Sequence, residues 1–188
     1  MHMKRFCILL LLLTTLCPLF ANKISVDVVK DGWRYVQTER TPHIFAVWKT
    51  LTDGGIALWC AQNEDFKEVK QYSIVIYYYF DTDIEEDSRL LLKMRDGSII
   101  ELKCRAHSTT MRLGLAAITF AEYLVSEEQL QEIMNNNVVK IRVETEFSNN
   151  DSKVYGKMFS KTIAKDYKLI EDTLTKEVLK EETFYDNF

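Results

Sequence analysis

The chain has 188 residues, 24 basic against 28 acidic, with 47% hydrophobic residues, six glycines and two prolines. That length suits one domain with a real apolar core. The net charge of −4 and the lack of any basic stripe disfavour nucleic acid, a polyanion held by clustered Lys and Arg.

Lys4 and Arg5 form a short basic start, and no acidic residue precedes Asp27. Residues 6–16 are apolar apart from Thr14 and Thr15; Pro18 ends the run and Ala21 offers a small residue for cleavage. This is the order of a secretory signal peptide over residues 1–21. The run falls short of the ~20 residues that span a bilayer, and no stop-transfer pattern follows. The expected mature chain, residues 22–188, is then a single β-rich domain, periplasmic or secreted, with no transmembrane segment. Lipid attachment at Cys17 would want a small residue before it, and Leu16 stands there instead. Losing Lys4 and Arg5 takes the 24 basic residues to 22 against 28 acidic, a net of −6.

The remaining segments read as strands. Residues 24–28 alternate, Asp31-Gly32 signals a two-residue hairpin, and residues 33–37 resume the pattern. Pro42 breaks the chain before a third strand over residues 44–51. Asp53-Gly54-Gly55 reads as a turn into residues 56–61. A polar stretch over 62–70 leads to the longest β run, residues 72–80, rich in Ile, Val and Tyr. An acidic loop follows at 81–87, and then residues 90–95, Asp96-Gly97 and residues 98–106 form the clearest hairpin. Residues 111–124 could be helix or strand; Thr119, Phe120 and Tyr123 favour strand.

Ser126-Glu127-Glu128-Gln129 has the form of a capping box, which predicts a short helix over about 127–134, stopped by the Asn135-Asn136-Asn137 cluster. A strand over 138–147 and a polar turn at 149–152 come next. Phe159, Ile163, Tyr167, Ile170 and Leu174 recur every three or four residues, between Tyr155 and Val178 at the ends. That stripe predicts a C-terminal amphipathic helix over about 153–180. The expected fold class is mainly β (α+β): an antiparallel β-sandwich-like domain of about eight or nine strands with these two helices.

The segment Tyr123-Leu124-Val125-Ser126-Glu127-Glu128-Gln129-Leu130, then Lys140-Ile141-Arg142-Val143-Glu144 and a Lys-rich terminal helix resembles small exported Bacteroidetes proteins of unknown function. The likeness spans about residues 90–174. It implies a bacterial envelope location and carries no activity with it.

Few residues carry chemistry. The loop Asp81, Asp83 and Asp87 has the oxygen density of a Ca²⁺ site, the one cofactor the sequence suggests. It fails the EF-hand pattern, since Glu86 and Leu92 stand where Gly and Glu belong, and a solvated acidic turn is the plainer reading. Tyr77 and Tyr79 share one strand face; they are either core under the terminal helix or a platform for a ligand. Trp33, Trp48 and Trp59 read as core. Alternation turns both Cys60 and Cys104 inward. Two readings stand for them: a disulfide closing a loop of about 45 residues, worth roughly 4 kcal/mol, or two buried thiols acting as small hydrophobes.

His43 reads as a loop residue and His107 as a strand end, and no catalytic signature such as a zinc-binding His-Glu-x-x-His or a serine elbow is present. The expected function is therefore that of an exported, non-enzymatic binding domain of the bacterial envelope. Its partner would be a protein, an envelope component or a small molecule. The alternatives are a small carboxylate-dependent hydrolase working from the acidic loop, and a structural or assembly protein.

Overall fold

Asp31 and Gly32 both take positive φ, 52° and 76°, which is the backbone of a two-residue type I′ hairpin turn. They join strand β1 (Ile24–Lys30) to β2 (Trp33–Thr38) in a computed structural model that describes residues 23–47, 52–78, 88–113, 116–144 and 149–176. The expected signal peptide, Trp48 and the acidic loop lie outside the described residues.

The further elements are β3 (Thr41–Val47), β4 (Thr52–Asn63), β5 (Lys70–Tyr78), β6 (Arg89–Met94), β7 (Ile99–Leu113) and β8 (Ala116–Val125). Helix α1 (Glu127–Asn135) follows, then β9 (Val138–Glu144), β10 (Asn149–Val154) and helix α2 (Met158–Leu174). The mainly β, antiparallel class expected from the sequence is what the protein has. All ten described strands, however, belong to one sheet, ordered β1-β2-β4-β3-β10-β9-β6-β7-β8-β5, rather than to two facing sheets.

The sheet curls into a half-barrel, and β5 at its end also pairs with β4. Long β4 makes this closure. Its residues 52–56 pair with β3 and 59–63 with β2, while its other edge pairs with β5 over 55–62. The segment 53–55, expected as a turn, is therefore strand. Gly55 is the reason the corner can form. A Cβ there would lie 2.8 Å from the Thr41 carbonyl oxygen and 3.3 Å from Pro42, where β2 bends into β3. Gly55→Ala must displace backbone and should cost about 1–3 kcal/mol in urea unfolding, an overpacking effect; a variant as stable as the wild type would contradict this close approach.

Pro42, expected to break the chain before the third strand, sits inside β3 next to the shift in β3–β4 register between Thr41 and Phe45. The polar run 149–152, expected as a turn, is part of β10, paired between β9 and β3. Its only apolar signal is Val154, so alternation could not reveal it.

The inner face of the curl carries Val36, Ile56, Leu58, Ile74, Ile76, Leu90, Leu92, Ile141 and Val143, all buried. Helix α2 lays Phe159, Ile163, Ile170 and Leu174 into that face, packing against β2, β3, β4 and α1. The helix starts later than the stripe suggested, because Lys153 and Val154 belong to β10 and Gly156 turns the chain with φ 55°; it ends at Leu174, and residues 177–180 of the expected helix lie outside the described residues. Helix α1 has the expected capping box: the Ser126 hydroxyl accepts from the Gln129 N–H at 3.2 Å, and the Gln129 side chain accepts from the Ser126 N–H at 3.0 Å.

Candidate functional site

Since the inner face takes Cys60, Leu58 and Ile56 from β4, and Tyr72, Ile74 and Ile76 from β5, their neighbours must point outward. Those neighbours include Trp59 and Tyr77, joined by Tyr35 of β2 and Phe120 and Leu124 of β8. Register places Gln37, Trp59, Ser73 and Leu124 in one row across β2, β4, β5 and β8. A second row holds Gly55, Tyr77 and Phe120. On β2, β4, β5 and β8, the side of the sheet facing away from α2 thus carries aromatic rings among polar residues.

Contacts along these rows are specific. Tyr35 and Trp59 have ring centroids 5.6 Å apart, and Tyr77 and Phe120 are 6.1 Å apart. The Arg105 guanidinium lies 4.6 Å above the Trp59 ring and is held by Glu122 at 3.2 Å. The Arg40 guanidinium lies 5.6 Å from the Tyr77 centroid, and Gln37 donates to the Tyr77 hydroxyl at 3.2 Å. Burial under these neighbours raises the Tyr77 phenol pKa. Cation–π pairs of this kind add to an apolar surface without removing its polar rim.

At one end of the face, Leu124 is 43% exposed and borders a cleft of about 730 Å³. Arg105, Lys103, Gln71, Glu127 and Glu128 also line it. Glu127 and Glu128 fill the first turn of α1, so the positive end of that helix is already offset by its own carboxylates.

Of the residues singled out in the sequence, Tyr77 is on this face, half-buried. Tyr79, Asp81, Asp83 and Asp87 lie outside the described residues, in or next to the connection between Tyr78 and Ser88. Among the described residues no group of three or more His, Cys, Asp or Glu side chains could hold a metal. His43 falls within β3 and His107 within β7. Trp59, read as core, is half-buried on the outer face, and Arg40, Arg105 and Phe120 join it there. No described helix is long and apolar enough to cross a membrane.

Neither Cys60 nor Cys104 is in a disulfide; Cys60 is buried and Cys104 half-buried. They sit on β4 and β7, separated in the sheet by β5 and β8. Three strand spacings of ~4.8 Å put them about 14 Å apart along the sheet, whereas a disulfide needs Cα atoms within about 7 Å. Both side chains face the core, but inward direction alone does not make neighbours. Burial pushes the Cys60 thiol up to about 12, with Lys70 opposing that shift. Its thiolate is scarce at neutral pH, so Cys60 should resist alkylation in the native protein and react on unfolding; rapid native labelling of Cys60, seen by peptide mass, would contradict its burial. The raised value also sets a pH trend. The unfolded thiol ionises near 9.0 while the folded one does not, so this group's contribution to stability is lost as pH rises from about 9 to 12.

Comparison with family models, with curated proteins and with solved structures finds no match for this chain.

Proposed function

We propose that this chain is an exported, non-enzymatic binding module of the bacterial envelope, and that its outer aromatic face receives a protein partner. The observation that carries the reading is the set Tyr35, Trp59, Tyr77, Phe120, Arg40 and Arg105 on the side of the sheet away from α2. Tyr, Trp and Arg are the residue types that dominate binding energy at protein interfaces. Guanidinium groups already lie over Trp59 and Tyr77, which suits a protein interface better than a platform for sugar rings. The export half of the proposal rests on the order of residues in 1–21.

Both halves are open to test. Protein recovered from the periplasm or medium should begin near residue 22; an uncleaved chain confined to the cytoplasm overturns export. The purified chain should capture one envelope protein that rebinds it when pure. Arg105→Glu with Leu124→Asp should weaken that binding at least ~10-fold, while Val29→Asp on β1 leaves it unchanged. A partner that binds the double variant as well as the wild type removes the outer face from the reading.

A further inference from the structure

The opposite flank of the sheet holds an arrangement that sheet stability alone does not favour. Lys153 of β10 pairs directly with Lys140 of β9, and Lys140 pairs directly with Lys93 of β6. Three lysines therefore stand in one row across three adjacent strands, and Ile99 of β7, 62% exposed, continues it. Directly opposed like charges weaken a strand pair.

Nearby carboxylates offset only part of this charge. Asp151 takes Lys140 at 2.6 Å and also binds Arg142. Those two cations hold its carboxyl down to about 2, so it is ionised and already committed at neutral pH. Glu144 is shared by Arg89 at 2.6 Å and Arg142 at 3.7 Å. The side chains of Lys93 and Lys153 make no hydrogen bond or ion pair among the described residues.

The row borders a hollow of about 230 Å³ on the outer surface, lined by Leu91, Lys93, Ile99, Lys140, Arg142 and Asp151. Three cations and one carboxylate thus meet apolar side chains. A compact anion would relieve the repulsion between Lys93 and Lys140, and an attached apolar group would cover Leu91 and the exposed Ile99.

We infer that this hollow binds a phosphate-type anion joined to an apolar body. A membrane phospholipid and a soluble phosphate ester both have that chemistry. The inference stands apart from the aromatic face, which lies on β2, β4, β5 and β8, so either reading can fail alone.

The full chain is tested with three probes: inorganic phosphate, hexyl phosphate, and phosphatidylcholine vesicles with or without phosphatidylglycerol. Sodium chloride at matched ionic strength is the control in melting experiments. Hexyl phosphate raising the melting midpoint beyond inorganic phosphate and chloride supports a soluble ester. Co-sedimentation with the anionic vesicles, and not with phosphatidylcholine alone, supports a lipid. In either case affinity should fall roughly fivefold for each of Lys93→Gln and Lys140→Gln, which line the hollow, and less for Lys153→Gln, one strand away. With no ligand present, the triple variant should melt close to the wild type, because relief of the opposed charges offsets loss of the solvent-exposed Lys140–Asp151 pair. No response to any probe overturns the site, as does undiminished binding by the triple variant. A triple variant that melts well below the wild type assigns the lysines to the fold and overturns it too.

Discussion

Phe159→Ala is expected to destabilise the protein by about 3–5 kcal/mol, as truncations of fully buried aromatic side chains do. Phe159 is 0% exposed at the start of α2, where the helix enters the curl of the sheet. Removing its ring deletes apolar burial and leaves a void that strands tied into a closed ladder cannot easily collapse to fill. The neighbouring Met158 is 41% exposed, and Met158→Ala should stay within about 0.5 kcal/mol. Urea unfolding of the two variants checks the pair. A Phe159→Ala loss below about 1 kcal/mol would mean that α2 does not seat its apolar stripe in the half-barrel.

Arg34→Ala should cost about 2–4 kcal/mol, the second large effect. Arg34 is only 4% exposed and faces inward from β2. Its guanidinium donates to both Asp27 carboxylate oxygens, at 2.8 and 2.9 Å, and thereby ties β2 to β1. It also donates to the carbonyls of Thr173 at 3.1 Å and Lys176 at 2.9 Å, at the C-terminal end of α2. Helix C-terminal carbonyls lack partners within the helix and carry the negative end of its dipole, so a buried cation there is doubly favourable.

Breaking a buried ion pair from one side costs about 3–5 kcal/mol. The Asp27 side chain is 29% exposed and water can re-solvate it, which lowers the expected figure. Arg34→Lys keeps the charge but not the fork, and should recover less than half of the loss. Asp27→Asn should cost less than Arg34→Ala, because the carbonyl bonds to α2 survive. Equal losses in these two variants would show that the helix end contributes nothing through Arg34.

Much of this architecture was legible in residue order. Asp31-Gly32 and Asp96-Gly97 marked hairpins because their backbone needs are local, and both glycines have positive φ, 76° and 95°. The Ser126–Gln129 capping box is likewise a local device, and helix α1 begins where it predicted. The stripe of α2 was visible because a 3.6-residue period survives whatever the helix packs against. The polar strand β10 was not legible, since Asn149 to Lys153 alternate no apolar residues, and only the pairing partners on either side make them a strand.

The candidate face was half legible. Alternation had already turned Cys60 inward with Ile56 and Leu58, which commits Trp59 to the other side of β4. What alternation cannot say is whether that other side is covered. A sandwich or a helix would have buried Trp59 and Tyr77; a single curled sheet with α2 on its concave side leaves them outside.

The sequence by itself determined the local elements, the apolar period of each and the identity of the inward cysteines, because these depend on residues within one or two turns of chain. Only the tertiary structure decided which strands are neighbours. Strand order set Cys60 and Cys104 three strands apart, brought Lys93, Lys140 and Lys153 into one row, and passed the Thr41 carbonyl over Gly55. Such pairings join residues far apart in the chain, and they follow from how the whole curl closes around α2 rather than from any one segment.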